Sequence, residues 1–168
     1  MRVLVIVVAG MSAACASAHP APLPFPTSRP TATSGAERPA VVSAGMATGY
    51  EVSGTALDFR GTPYRNGGAD PAGFDCSGFV WYVFTQHGLA LPRTVQDQYR
   101  VGDNVAVVDL RPGDLVFFST TVPGPSHVGI VIGGDSFVHA PSSTGVVRVE
   151  RLSAPYWSSR FLGARRIL

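Results

Sequence analysis

Cys76, His127 and His139 are the side chains whose types and spacing could do chemistry together. A thiol becomes a nucleophile when a neighbour takes its proton, and an imidazole can do so near neutral pH. Asp75 precedes Cys76 as a natural helix N-cap, and Phe79, Val80, Val83 and Phe84 follow at helical spacing up to a stop at Gly88. Cys76 is therefore expected in the first turn of a helix. Unpaired N–H groups and the positive dipole end there favour an anion and should lower the thiol pKa. His127 and His139 stand equidistant from Gly133 in a strand–turn–strand stretch. A hairpin of that register sets them opposite one another on one face, with Cβ atoms about 4.5–5.5 Å apart. A slip of register would alter this. A helix N-terminus packed on the same face would complete a line of thiol, imidazole and imidazole. In that order the first histidine takes the thiol proton and returns it to the leaving amine, and the second fixes the tautomer of the first. Backbone N–H groups at the helix start, including that of Cys76, could form an oxyanion hole.

Plainer readings stand beside this one. Cys76 could be a buried structural thiol, and the histidines could be ordinary strand residues. One cysteine and two histidines could bind zinc, but a structural site needs a fourth ligand and usually a close cysteine pair, and Asp75 is better explained as a cap. His19 falls in the leader or tether and His87 at a helix end, so neither is assigned a role.

The chain has 168 residues, 45% hydrophobic and 14% charged, with a formal net charge of +2. That suits one folded domain and offers no basic cluster for nucleic acid. Arg165-Arg166 is read as a solvated charge pair. The first 18 residues, one arginine then Val3 to Val8 then small residues, form a secretory signal peptide too short to span a membrane as an ordinary helix. Ala16-Ser17-Ala18 fits ordinary cleavage, whereas Ser12-Ala13-Ala14-Cys15 resembles a lipoprotein signal that would leave Cys15 as a lipid anchor. Either way Cys76 is left without an intrachain disulfide partner in an oxidising compartment, which favours a buried or working thiol. Residues 19–46 carry Pro20, Pro22, Pro24, Pro26, Pro30 and Pro39 without periodicity, the composition of an extended tether or simply of a poorly ordered start.

Residues 47–168 are the expected domain. A helix is expected over about 47–59 and a loop through Gly67-Gly68 to Asp75. A short helix after Thr94, capped through Gln98 or Tyr99, follows. About five short strands come next, at 114–118, 127–132, 136–139, 146–149 and 161–167. Helices first and strands afterwards imply an α+β domain with an antiparallel sheet. Tyr64, on the loop, could turn its hydroxyl towards the cysteine or pack on the core.

Six stretches, in this order, resemble the NlpC-type cell-wall cysteine peptidases, a papain-like family. They are Gly61-Thr62-Pro63-Tyr64 with Gly67-Gly68, Asp75 to Phe79, Leu91 to Thr94 with Gln98, Leu110 to Phe118, His127 to Ile130, and Phe137 to Ala140. The ending from Pro155-Tyr156-Trp157 to Arg166 resembles the small lipoprotein murein endopeptidases of Gram-negative bacteria. The resemblance implies Cys76 as nucleophile, His127 as base and His139 as polar third member. It implies Tyr64 on the oxyanion side, and Asp75 and Ser77 as contacts for a bound peptide. It also implies a papain-like fold with helices packed on a five- to six-stranded sheet, and needs no metal or cofactor. The expected partner is a peptidoglycan stem peptide, and the expected state a monomer in the periplasm, soluble or anchored at the outer membrane. The expected reaction is hydrolysis at a D-Ala–diaminopimelate cross-link or a γ-D-Glu–diaminopimelate bond. Asn66 departs from the family pattern, where an aromatic is common beside the glycines. An acyltransferase or amidase using the same dyad, or a non-catalytic wall-binding module, are the alternatives.

Overall fold

A computed structural model describes residues 47–168. The expectations for the leader, for Cys15, for His19 and for the tether lie outside the described residues. Thr48 starts the first helix, α1 (Gly49–Asp58), with a capping box: its hydroxyl accepts from Glu51 N–H and the Glu51 carboxylate accepts from Thr48 N–H at 2.7 Å. A two-stranded hairpin, β1 (Ala69–Asp70) and β2 (Gly73–Phe74), leads into α2 (Cys76–Gln86). There follow α3 (Val95–Gln98), β3 (Asp103–Val105), a 3-10 turn (Val107–Asp109), β4 (Leu115–Phe118), β5 (His127–Gly133) and β6 (Ser136–His139). The chain ends with β7 (Arg148–Arg151), α4 (Pro155–Ser158) and β8 (Phe161–Arg166).

The large sheet has six strands in the order β3-β8-β4-β5-β6-β7, every pair antiparallel, and the domain is α+β. Six strands fall within the five to six that the resemblance implies, and β3 is the one outside the five read from the residues. Asp103-Asn104-Val105 has no apolar alternation to signal a strand, and it is held at the edge by backbone pairing with β8. The first hairpin, with two residues per strand, and the single turn of α4, started by Pro155, are likewise too short to leave a periodic signal. β7 begins two residues later than its apolar run.

Both faces of the sheet are covered, which is why β4 reads as the unbroken apolar run Leu115-Val116-Phe117-Phe118, all buried. On one face α1 and α2 lay Val52, Ala56, Phe79, Val80, Val83 and Phe84 against Leu115, Phe117, Val128, Ile130 and Val138. On the other, Val116, Phe118, Val131, Phe137, Leu152, Trp157 and Ala164 form a smaller, aromatic core. Arg165 and Arg166 are not the solvated pair expected. Arg166 donates twice to the buried Asp114, at 2.7 and 2.8 Å, and Arg165 lies over the Tyr99 ring while donating to Tyr99 carbonyl. A carboxylate sunk in the β4 turn needs a cation, and the last strand supplies it.

Candidate active site

Cys76 is the first residue of α2 and is partly exposed. Asp75, in extended conformation at the N-cap, accepts from Gly78 N–H at 2.7 Å. Gly68 and Gly78 let the preceding loop lie against this first turn. A side-chain carbon at Gly78 would overlap the Gly68 carbonyl, which accepts from Asp75 N–H at 3.0 Å. The backbone N–H groups of Ser77, Val128 and Cys76 favour the thiolate, as expected for a helix start, yet they do not set the balance. Burial, followed by the Asp75 charge, pushes the thiol up to about 11 rather than down. The expectation of a lowered thiol pKa is overturned by desolvation.

His127 Nε2 and His139 Nδ1 are 2.6 Å apart with the rings nearly perpendicular. The histidines reach this contact in a different way from the symmetric hairpin. β5 and β6 pair Ile130 with Val138 and Val131 with Phe137, with an irregularity before Gly133. Continued outward, that register sets His139 opposite Gly129 and leaves His127 diagonal to it, on the same face. Gly129 is what admits the arrangement, because a Cβ there would collide with the Phe137 ring and crowd His139. A second difference concerns the face. Both histidines lie on the aromatic side with Phe118 and Phe137, whereas α2 packs on the opposite side. Val128 N–H points at the Cys76 sulfur, so the thiol lies at the starting end of β5, beside the strand residue that follows His127, and not across one packed layer.

Burial pushes His127 down to about 4 and His139 down to about 2, so both rings are neutral near pH 7. A neutral pair shares one proton in its hydrogen bond. For His127 to present a basic Nδ1, its Nε2–H must donate to His139 Nδ1, and the remaining proton then sits on His139 Nε2. That nitrogen is buried and has no partner among the described residues. Among the described residues no group of three His, Cys, Asp or Glu side chains is placed to hold a metal ion together.

The remaining expected residues surround the same helix start. Tyr64 hydrogen-bonds through its backbone to Gly145, and its hydroxyl is pushed up by burial, then by Cys76 and Asp75, whose charges it feels. Asp75 is more than a cap. Arg93, within the Leu91 to Thr94 stretch and without a role assigned from the sequence, grips both of its oxygens at 2.6 and 3.0 Å and also donates to the Ser77 hydroxyl and the Gly68 carbonyl. Ser77 is buried and donates its one hydroxyl proton to Asp75. Asp75 and Ser77 are thus hydrogen-bonded to each other and to Arg93 at the start of α2. Gln98, fully buried, donates to Ser77 and Pro92 carbonyls and ties α3 to α2, while Thr94 caps α3 through Asp97 N–H. His87 bridges α2 to Thr55 of α1 at 2.9 Å.

Residues 61–166 match the NlpC/P60 family. A murein DD-endopeptidase/murein LD-carboxypeptidase of Escherichia coli K12 is 46% identical over 112 residues, which are 66% of this chain and 58% of that protein. A gamma-DL-glutamyl hydrolase of Bacillus subtilis is 47% identical over 111 residues, 64% of this chain and 27% of its own length. This chain thus spans little more than half of the first relative and about a quarter of the second. A crystal structure of an NlpC/P60 family protein from Bacillus cereus superposes with a TM-score of 0.69 at 33% identity, covering 73% of this chain and 41% of that one. The chain belongs to the NlpC/P60 family.

Proposed function

We propose that this chain is a cysteine endopeptidase that hydrolyses amide bonds in the stem peptides of peptidoglycan through a thioester at Cys76. The observation that carries this is the 2.6 Å contact of two buried, neutral imidazoles, one of them next in the chain to the Val128 N–H that points at the Cys76 sulfur at a helix N-terminus. His127 Nδ1 takes the thiol proton as the sulfur attacks the carbonyl. Because neither group is charged beforehand, proton transfer accompanies attack. His139 holds the His127 tautomer and spreads the charge that forms on it. The Cys76 N–H, with the Tyr64 hydroxyl nearby, stabilises the oxyanion. His127 then protonates the leaving amine, and water releases the acyl group by the reverse sequence. The family membership and the names of the relatives support murein as substrate, and the Escherichia coli relative favours the D-Ala–diaminopimelate cross-link over the γ-D-Glu–diaminopimelate bond.

The reading requires export, with the leader removed or Cys15 lipidated, residues 19–46 as a tether, and action as a monomer without a cofactor. Its test is a digest of cross-linked murein by the purified protein beside Cys76→Ala, with products read by chromatography and mass spectrometry. Dimeric muropeptides giving way to intact tetrapeptide monomers is the expected result. Dipeptide-bearing fragments would move the cut to the γ-D-glutamyl bond, and no difference from the variant would reject the reading.

A further inference from the structure

The ending Pro155-Tyr156-Trp157 plays no part in the chemistry above, yet its indole lies on the histidines. Trp157 is 8% exposed and sits in α4, where Pro155 opens the turn and Trp157 N–H donates to Ala154 carbonyl at 2.9 Å. Its ring stacks on His127, with centroids 5.4 Å apart at 27°, and meets His139 edge-on at 4.8 Å and 87°. Phe118 and Phe137 hold it from behind at 4.8 and 5.2 Å. One aromatic plate thus contacts both rings of the only hydrogen bond that orients His127 among the described residues. We infer that Trp157 is a positioning residue of the reaction: it fixes the plane of His127 and keeps water from the His127–His139 hydrogen bond.

The physical case rests on what else could do either job. Among the described residues the only side-chain hydrogen bond to the His127 ring is the one it makes with His139 Nδ1, and its nearest aromatic face is the stacked indole, with Phe118 farther off at 6.3 Å. A hydrogen bond orients a ring only where water cannot compete for the same nitrogen, and a flat apolar neighbour excludes it. The charged and titratable groups around the pair are few. Cys76 and Asp75 stand at the start of α2, the Tyr64 hydroxyl faces them, and Arg148 of β7 lies across from His139 and is paired with Glu150. Tyr156 packs on the far edge of the indole under the Arg160 guanidinium. Of these, only Arg148 and the partner imidazole act on His139 through their charge, and burial acts on both rings first. Removing the plate should therefore admit water and let the imidazoles take up a proton at higher pH.

The inference rests on the proposed peptidase reading for its activity measurement but not for its spectroscopic one. Trp157→Phe keeps an aromatic plate and Trp157→Leu keeps apolar bulk without one; folding of both is checked by circular dichroism. With murein as substrate, Trp157→Leu should lose about tenfold in kcat with KM little changed. Its acid limb should move to higher pH by about one unit, while Trp157→Phe stays within a few-fold of the parent at every pH. In parallel, imidazole nitrogen and ring-proton shifts of His127 and His139 are titrated by NMR in the same variants carrying Cys76→Ala. A higher titration midpoint in the Leu variant and a near-parent one in the Phe variant support the inference. Unchanged midpoints in a folded Leu variant, or equal losses of activity in Leu and Phe variants with an unmoved acid limb, overturn it. If the parent protein cleaves no murein, the peptidase reading fails, and the titration still decides the role of Trp157.

Discussion

The two sides of Cys76 are built on opposite electrostatic plans. On the helix side, Asp75 is ion-paired and multiply bonded: it takes Gly78 N–H, the Ser77 hydroxyl and two Arg93 nitrogens. On the strand side, His127 and His139 are neutral, buried and joined by a single hydrogen bond, and His139 Nε2 has no partner among the described residues. A carboxylate held by four hydrogen bonds, two of them from one guanidinium, is fixed in place. A neutral pair with one movable proton can change state at low cost. The helix side therefore sets where the sulfur is, and the strand side sets when its proton leaves.

Changes on the strand side and at the sulfur should dominate activity. Cys76→Ser and His127→Ala should each lower kcat/KM on murein by roughly 10⁴-fold or more, because each removes a group that bonds or protonates the substrate. His139→Ala should cost less, roughly 10²-fold, since a neutral orienter contributes less than a carboxylate would, and His139→Asn should recover part of it. Full activity in any of the alanine variants would collapse the contrast. On the helix side, Arg93→Met should act mainly on stability, by about 2 kcal/mol in urea unfolding. It leaves the mostly buried Asp75 carboxylate without its cation, while the partly solvated guanidinium makes the loss smaller than for a fully buried pair. If Arg93→Met left stability intact and abolished turnover, the division of labour would be wrong.

The pair also couples folding to pH. Folding lowers His127 from 6.5 to about 4 and His139 from 6.5 to about 2, so the unfolded chain binds more protons in that interval. The stability tied to neutral imidazoles is complete above about 6.5 and is lost as pH falls, through about 4 for His127 and towards about 2 for His139. Thermal melting should drop across that window, and the drop should be smaller in His127→Ala, which has one fewer ring to protonate. An unchanged slope would mean that the acid loss comes from carboxylates elsewhere.

How far the sequence could be read follows from where the information lay. The helix that carries Cys76 was legible because its cap, apolar spacing and terminal glycine are local signals, and α2 runs from Cys76 to Gln86. The two histidines were legible as neighbours on one face, but their register was not. The irregularity before Gly133 and the small residue at Gly129 act across strands, and neither leaves a mark on composition. The face on which α2 packs was misjudged for a similar reason. β4 and β5 are apolar on both sides, so periodicity could not say which side the helix takes. Arg93 lay within a quoted motif, but its partner Asp75 is 18 residues away and already had an explanation as a cap. The thiol pKa went the wrong way because the dipole argument is local, whereas burial is a property of the assembled core.

The claim that the nucleophile is stored as a neutral thiol beside a neutral imidazole is tested most directly by the pH dependence of Cys76 alkylation. Iodoacetamide incorporation at this thiol is followed by intact mass in the folded protein, with Cys76→Ala as the blank. A rate that climbs through neutral pH and keeps rising towards the thiol value of about 11 is predicted. A rate already on a plateau between about pH 5 and pH 8 would reveal a resident thiolate–imidazolium pair and contradict it.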